Sequence, residues 1–314
     1  MRALRCLVLA FSFVAPLLAQ EAIQHRFVAT DESGHQILLV DEANPAKGWV
    51  VKQHARDLQL VGENRLMVSV NGTGRTAKNG FLELDLGTGK IVRRVEVPAF
   101  KKVMTARRAA DGTTFLGGYG PKGIRIVQVD KAGKTLKTID CPPAIKNVRL
   151  MRRTAAGTTL IGSGKEVFEV DAAGKIVWQK AVPGGNHIYK AVRLANGNIF
   201  AASGYGASLA ELSPEGKVLR TFGKKEGQKV RHPKFFSDFH MLTNGNVVVA
   251  NWMGHKREDS QKGQQLAEYA ATGDLVWTWH DAKLAGCLHG VIILDGLDTT
   301  KLHTEVNGPL GPME

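Results

Sequence analysis

Cysteine is nearly absent from this chain: there are three in 314 residues, and Cys6 lies in an apolar stretch at the N-terminus. Cys141 falls in a connection after the third of a set of repeats and Cys287 in the last, so the two are not expected to meet. A fold of this kind relies on its core and not on disulfides. A sustained apolar period of 3.6 residues is also missing, which points to an all-β chain. No nucleotide-binding glycine loop opens a helix, and no Cys-x-x-Cys or Gly-x-Ser-x-Gly elbow occurs, which removes several enzyme classes. The ten histidines are scattered at about one per repeat. A metal site would need them to converge on one point, and none is expected. Acidic residues are in deficit, 29 against 42 basic ones, for a net charge of +13.

What the chain does have is one pattern written six times: a hydrophobic strand, a tight polar turn, a second strand, then a turn of the Asp-x-x-Gly-Lys kind between two more strands. The second turns begin at Asp41, Asp85, Asp130 and Asp171, spaced 44, 45 and 41 residues apart. Ser213 follows, and the sixth copy, after an insertion, sits near Ala270. First turns fall at Glu63-Asn64, Asp111-Gly112, Ala156-Gly157, Asn196-Gly197, Asn244-Gly245 and Asp295-Gly296. Glycine and asparagine recur there because tight hairpins need positive φ. Repeats of this length built from four short strands predict a β-propeller, and the count gives six blades. Asp41 has no matching first strand before it, and Asp295-Gly296 has no second turn after it. Those halves fit together: Val291-Ile292-Ile293-Leu294 should complete the blade begun by Phe27-Val28-Ala29-Thr30, leaving no open sheet edge.

Residues 1–19 read as a signal peptide. Arg2 and Arg5 form a positive start, Cys6 to Leu18 an apolar run too short for a membrane span, and Leu17-Leu18-Ala19 a cleavage site. The expectation is a secreted or periplasmic protein with no transmembrane segment after cleavage, and residues 20–314 forming a single monomeric propeller. Without Arg2 and Arg5 the net charge is +11, which favours anionic partners. Export argues against nucleic acid. A small anionic molecule, an envelope polymer or an envelope protein remain as partners.

In a propeller, the inter-blade connections and the loops between second and third strands share one face. The connections carry His54 and Arg56, Lys101 and Lys102, Lys146 and Arg149, His187, and a basic stretch from Lys224 to Lys234; the loops add Arg75, Lys122, Lys165, His255 and Lys256. The basic excess should therefore gather at the mouth of a central funnel, where low-dielectric walls focus the field. Six residues before each first turn stands the column Asp57, Thr105, Leu150, Lys190, Asp238, His289; two residues further on come Gln59, Arg107, Arg152, Val192, His240, Val291. His54 and His187 align nearer the mouth. The catalytic candidates are His54, His187, His240 and His289. The ligand-binding candidates are Arg56, Asp57, Lys102, Arg149, Tyr189, Lys190, Asp238, Trp252 and His255. A plainer role for Asp57 and Asp238 is to accept backbone N–H groups from the adjoining blade. Blade six departs most from the pattern: Trp252-Met253-Gly254-His255 precedes a polar insertion over 256–265, where repeat proteins often carry binding function. Trp252 and His255 could wall the funnel, or Trp252 could simply cover the insertion. Trp178 and Trp277 are expected to pack between blades.

The segments Asp85 to Val92, Asp171 to Trp178 and Ala271 to Trp277 resemble the tryptophan-docking repeat of quinoprotein-like propellers, over nearly the whole chain after residue 19. That family includes pyrroloquinoline-quinone (PQQ) dehydrogenases, which the resemblance implies to have eight blades, calcium and adjacent cysteines; six blades without a Cys-Cys pair make a bound quinone unexpected here. A weaker likeness is to exported bacterial arylsulfotransferases, which look like six-bladed propellers with a nucleophilic funnel histidine. That implies a role for His54, His187, His240 and His289 with Arg56 or Arg149, in which a neutral imidazole attacks and cations stabilise the developing charge. The leading expectation is an exported propeller that binds an anionic ligand or surface at a basic funnel with no chemistry of its own. A funnel-histidine enzyme and an envelope scaffold are the alternatives.

Overall fold

The computed structural model describes residues 22–71 and 78–312; the expected signal peptide and Arg75 lie outside them. Six four-stranded antiparallel sheets form a ring, a six-bladed β-propeller. Blade one takes its inner strand, Leu288–Ile293, from the C-terminal end and its other strands, Arg26–Asp31, Gln36–Asp41 and Trp49–Val51, from the N-terminal end. The pairs Phe27↔Ile293, Ala29↔Val291 and Thr30↔Gly290 close the ring. Blades two to six follow in chain order, with inner strands Leu58–Leu60, Lys102–Arg108, Met151–Arg153, Lys190–Arg193 and Phe236–Met241.

The repeated turns form for the reasons their residues suggest. At the blade-five turn, Gly197 N–H donates to Leu194 O, and Asn196 Oδ1 accepts from Asn198 N–H at 3.0 Å. The same bonds recur at Leu242 to Asn246 in blade six. Gly197 and Gly245 both sit at φ +86°, where a side chain would be strained. In the second turns the aspartate closes on the backbone: Asp171 Oδ1 accepts from Ala173 and Lys175 N–H at 2.8 and 2.9 Å.

Burial follows the blade junctions. Among the described residues an apolar cluster fills each of the six junctions between neighbouring blades, such as Phe200, Leu209, Phe236 and Phe239 between blades five and six, and a seventh gathers Leu150, Tyr189, Phe235, Trp252, Met253 and Cys287. Each fully buried Phe or Leu contributes about 1.5–3 kcal/mol over an exposed one, so the ring is held mainly at its junctions. Outer-strand tryptophans reinforce them: Trp49 Nε1 donates to Leu86 O at 2.9 Å and Trp178 Nε1 to Pro214 O at 2.8 Å, each in the second turn of the next blade. Trp277 packs edge-on against His25 and Phe27 of blade one. Cys141 and Cys287 are both free. No helix among the described residues is long and apolar enough to cross a membrane.

One feature has no counterpart in the repeat. After the closing strand, the tail turns across the end of the ring that carries the first turns. Thr299 and Thr300 carbonyls accept from Asn64 and Glu63 N–H, and His303–Thr304 pairs with Gly311–Pro312. Gln59 Nε2 donates to His303 O at 2.9 Å, seating this ribbon beneath the axis.

Candidate functional site

The inner strands do not run regularly to the axis. Register shifts interrupt them between Val103 and Thr105, between Phe236 and Phe239, and opposite Thr30, where Leu288 and Gly290 pair but His289 between them does not. Such bulges re-aim side chains. Here they fall at or beside Thr105, Asp238 and His289, all members of one column in the repeat.

Most of the two charged columns goes into a buried network on the axis. Arg107, Arg152 and Lys190 supply three cations; Asp57 and Asp238 supply two carboxylates, and Glu305, from the tail, the third. Lys190 Nζ lies 2.8 Å from Asp238 Oδ1 and 2.5 Å from Glu305 Oε1. Arg152 Nη2 lies 3.1 Å from Asp57 Oδ1, and its Nε pairs with Glu305. All six are nearly inaccessible, and only such balance makes their desolvation tolerable. Asp57 and Asp238 also accept the Ala106 and Val291 N–H groups of neighbouring blades, each at 3.3 Å. Burial alone would raise the Glu305 carboxyl, but Arg152, Lys190 and Arg107 together hold it well below its ordinary range.

On the mouth side of this network lies a chamber of about 110 Å³, lined by Glu32, Arg56, Arg149, His187, Tyr189, Tyr205, Phe235, Trp252, His255 and His289. Its walls are aromatic: Tyr189, Tyr205 and Trp252 each meet Phe235 edge-on, with ring centroids 5.7, 4.7 and 5.6 Å apart. Trp252 and His255 stand edge to face at 4.7 Å. Glu32 fixes both, accepting from Trp252 Nε1 at 3.2 Å and meeting His255 Nδ1 at 3.1 Å.

The chamber is electropositive. Arg56 Nη1 donates to the Tyr189 hydroxyl at 2.8 Å, its Nε is buried without a partner, and Arg149 Nη1 donates to Val148 O at 3.3 Å. Neither guanidinium forms an ion pair with a carboxylate among the described residues. Their field reaches His187, Lys102 and His289. Burial, then Arg149 and Arg56, push the His187 imidazole down to about 4. Burial, then Arg56 and Arg149, lower the Lys102 ammonium. Burial and the same guanidiniums, with His54, drive His289 well below its usual range. His187 also adopts φ +69°, an uncommon conformation for a side chain that reaches over the mouth.

The candidates thus divide. Arg56, Arg149, Tyr189, His187, His289, Trp252 and His255 meet at the chamber, and Lys102 lies within its field. His54 is close enough to His289 to act on it electrostatically, and its Nδ1 contacts Asn71 Oδ1 at 3.0 Å. Asp57, Lys190 and Asp238 belong instead to the network below. His240 lies apart from the other three histidines. It borders a cavity of about 240 Å³ at the opposite end with His25, Glu268 and Asp295, where its Nδ1 accepts from Ile293 N–H at 2.9 Å. Glu32, Tyr205, Phe235 and Glu305 were not singled out in the sequence. Glu32 could have been: it opens the second-to-third-strand loop of blade one once the closing strand is counted as that blade's first. No group of three or more His, Cys, Asp or Glu among the described residues is placed to hold a metal ion.

No family model matches this chain, and no curated protein matches it in sequence. In fold it is similar to a protein of unknown function from Bacteroides caccae, at 20% identity over 86% of this chain and 98% of that one, with a TM-score of 0.71. A chain of a nidogen/laminin complex shares 12% identity over 86% and 98% of the two chains, with a TM-score of 0.60. A catalytically inactive virginiamycin B lyase from Staphylococcus aureus with quinupristin shares 9% over 88% and 94%, with a TM-score of 0.53. At such identities the likeness is one of fold.

Proposed function

We propose that this protein is an exported β-propeller that binds a small anionic ligand with a planar or apolar body in the basic chamber, without chemistry of its own. One observation carries this: Arg56 and Arg149 stand in a single partly buried chamber with no carboxylate paired to either among the described residues. Unpaired cations at a desolvated site favour an anion strongly. The aromatic walls supply contact for the rest of the ligand. Export is supported by the charged start, short apolar run and small-residue site at residues 1–19. A calcium-held quinone is not assigned to the chamber. Calcium takes six to eight oxygen ligands, and the lining offers one carboxylate, Glu32, already engaged, beside two guanidiniums. A four-histidine transferase is disfavoured by the position of His240 beyond the ion network. An envelope scaffold finds less support, since the outer strands expose aliphatics singly, such as Val92, Val177 and Leu219.

The test is calorimetric titration with benzoate, acetate, phosphate and sulfate at matched ionic strength. Binding of at least one anion should weaken on the order of tenfold or more in the Arg56→Ala/Arg149→Ala double variant. Binding that ignores the double substitution, or no binding by any of the four, would overturn the assignment.

A further inference from the structure

His289 is 2% exposed, borders the chamber, and is built into blade one by a chain of hydrogen bonds. Its Nδ1 lies 3.1 Å from Thr30 Oγ1, and Thr30 Oγ1 donates its one proton to the Arg56 carbonyl at 3.1 Å. Assigning that proton to the Arg56 carbonyl leaves the hydroxyl to accept from the imidazole, which puts the His289 proton on Nδ1. Burial and the nearby charges of Arg56, His54 and Arg149 keep the ring neutral. Its Nε2 is then a bare lone pair, and it has no partner among the described residues. The chain of bonds is closely fitted: a Cβ at Gly290 would sit 2.4 Å from Thr30 Oγ1 and 3.0 Å from the Arg56 carbonyl oxygen. The one carboxylate at the chamber, Glu32, is already met at both oxygens by Trp252 and His255.

We propose that His289 Nε2 makes the chamber selective for small oxyanions that carry their own O–H donor, the hydrogen-phosphate kind, over oxyanions that carry none. This rests on the anion-binding function proposed above and assigns a specificity-determining role to one residue of that site. The two guanidiniums would take the charge and Nε2 would accept the ligand's proton in a hydrogen bond, with no bond broken. Charge alone predicts the opposite order. Sulfate is a full dianion at neutral pH, whereas phosphate is a mixture of mono- and dianion that always keeps an O–H; a purely coulombic site favours sulfate. A site with a committed buried acceptor instead rejects the analogue that cannot satisfy it.

The experiment is paired calorimetric titration of the whole protein: inorganic phosphate against sulfate, and glycolate against acetate, at pH 7 and matched ionic strength. The expected result is a preference for the donor-bearing member on the order of tenfold to a hundredfold. Selectivity in the first pair identifies a phosphate-type ligand, and selectivity confined to the second identifies a hydroxycarboxylate. The His289→Phe variant should bind both members of a pair alike, while Glu32→Gln should keep the preference. If His289→Phe does not fold, the wild-type ratios decide alone. Sulfate binding as tightly as phosphate, with acetate equal to glycolate, overturns the donor rule but leaves an anion site standing. No binding by any probe overturns both. A preference that survives His289→Phe in a folded protein removes His289 from the role.

Discussion

Arg152, on the inner strand of blade four, holds Glu305 of the C-terminal tail across the propeller axis, and its Nη2 reaches Asp57 of blade two at 3.1 Å. The tail is therefore part of the fold's interior. Glu305→Ala leaves the buried cations Arg107, Arg152 and Lys190 facing only Asp57 and Asp238. Removing one partner of such a network costs about 3–5 kcal/mol. The urea midpoint should fall accordingly, and Glu305→Gln, which keeps shape but loses charge, should fall between. A loss below about 1 kcal/mol would mean the tail does not clamp the axis.

The same carboxylate gives an acid dependence with a definite sign. Glu305 is held below its ordinary 4.5 by three cations despite its burial, so it stabilises the fold fully above that value. The contribution is lost as pH falls below it. The stability gap between wild type and Glu305→Gln should be constant near neutrality and close progressively below about pH 4.5. Urea unfolding of both proteins across that range measures it; a gap that widens in acid contradicts the network.

His25 acts in the opposite direction, beside the first turn at Asp295. Burial would lower it, but Asp295 at 2.6 Å and Glu268 at 2.7 Å raise it to about 9 from an ordinary 6.5. A raised histidine stabilises fully below its unfolded value and loses that contribution as pH rises through the folded one. Thermal unfolding should therefore show a decline between 6.5 and about 9 that is absent in His25→Gln. A flat wild-type profile over that window would remove His25 as the anchor of the first strand.

The blade count, the closure by Val291 to Leu294 and the turn chemistry were legible in the sequence because the repeat states them six times over. Turn residues such as Asn196-Gly197 and Asp171 act locally, so the chain need not be folded to be read. The site was legible only in part. The inner-strand columns named Asp57, Lys190, Asp238 and His289 together, but bulges at or beside the column send His289 to the chamber and leave Asp238 in the axial network. No periodicity announces a bulge. Glu305 was invisible for a different reason: it lies beyond the last repeat, and its role depends on where the tail crosses the ring.

The chamber's field is open to direct measurement. His187 is held at about 4 by burial and by the charges of Arg149 and Arg56. Arg149→Ala and Arg56→Ala should each raise its titration midpoint toward the ordinary 6.5, with Arg149→Ala the larger effect. A bound anion should raise it too, since it offsets the same charges. Proton NMR titration of the ring reads all three. A midpoint indifferent to both arginines would mean that burial alone sets it, and the electropositive chamber would lose its basis.

His289 and His240 should hold opposite tautomers, although both are buried and neutral at physiological pH. His240 Nδ1 accepts the Ile293 N–H at 2.9 Å, so its proton sits on Nε2. His289 Nδ1 faces a threonine hydroxyl whose proton is already given to Arg56, so its proton sits on Nδ1. Burial lowers both, His240 to about 3 and His289 well below its usual range, so both rings should stay neutral at physiological pH. Long-range proton–nitrogen correlation spectra distinguish the two forms by the shift of the bare nitrogen. Thr30→Val, nearly the same shape without the hydroxyl, strands the His289 Nδ1 proton against a methyl group. It should destabilise the fold by about 1–3 kcal/mol and move the His289 proton to Nε2 or rotate the ring, while leaving the His240 signals in place. If Thr30→Val leaves the His289 nitrogens unchanged, the threonine does not set the tautomer, and the bare nitrogen at the chamber needs another cause.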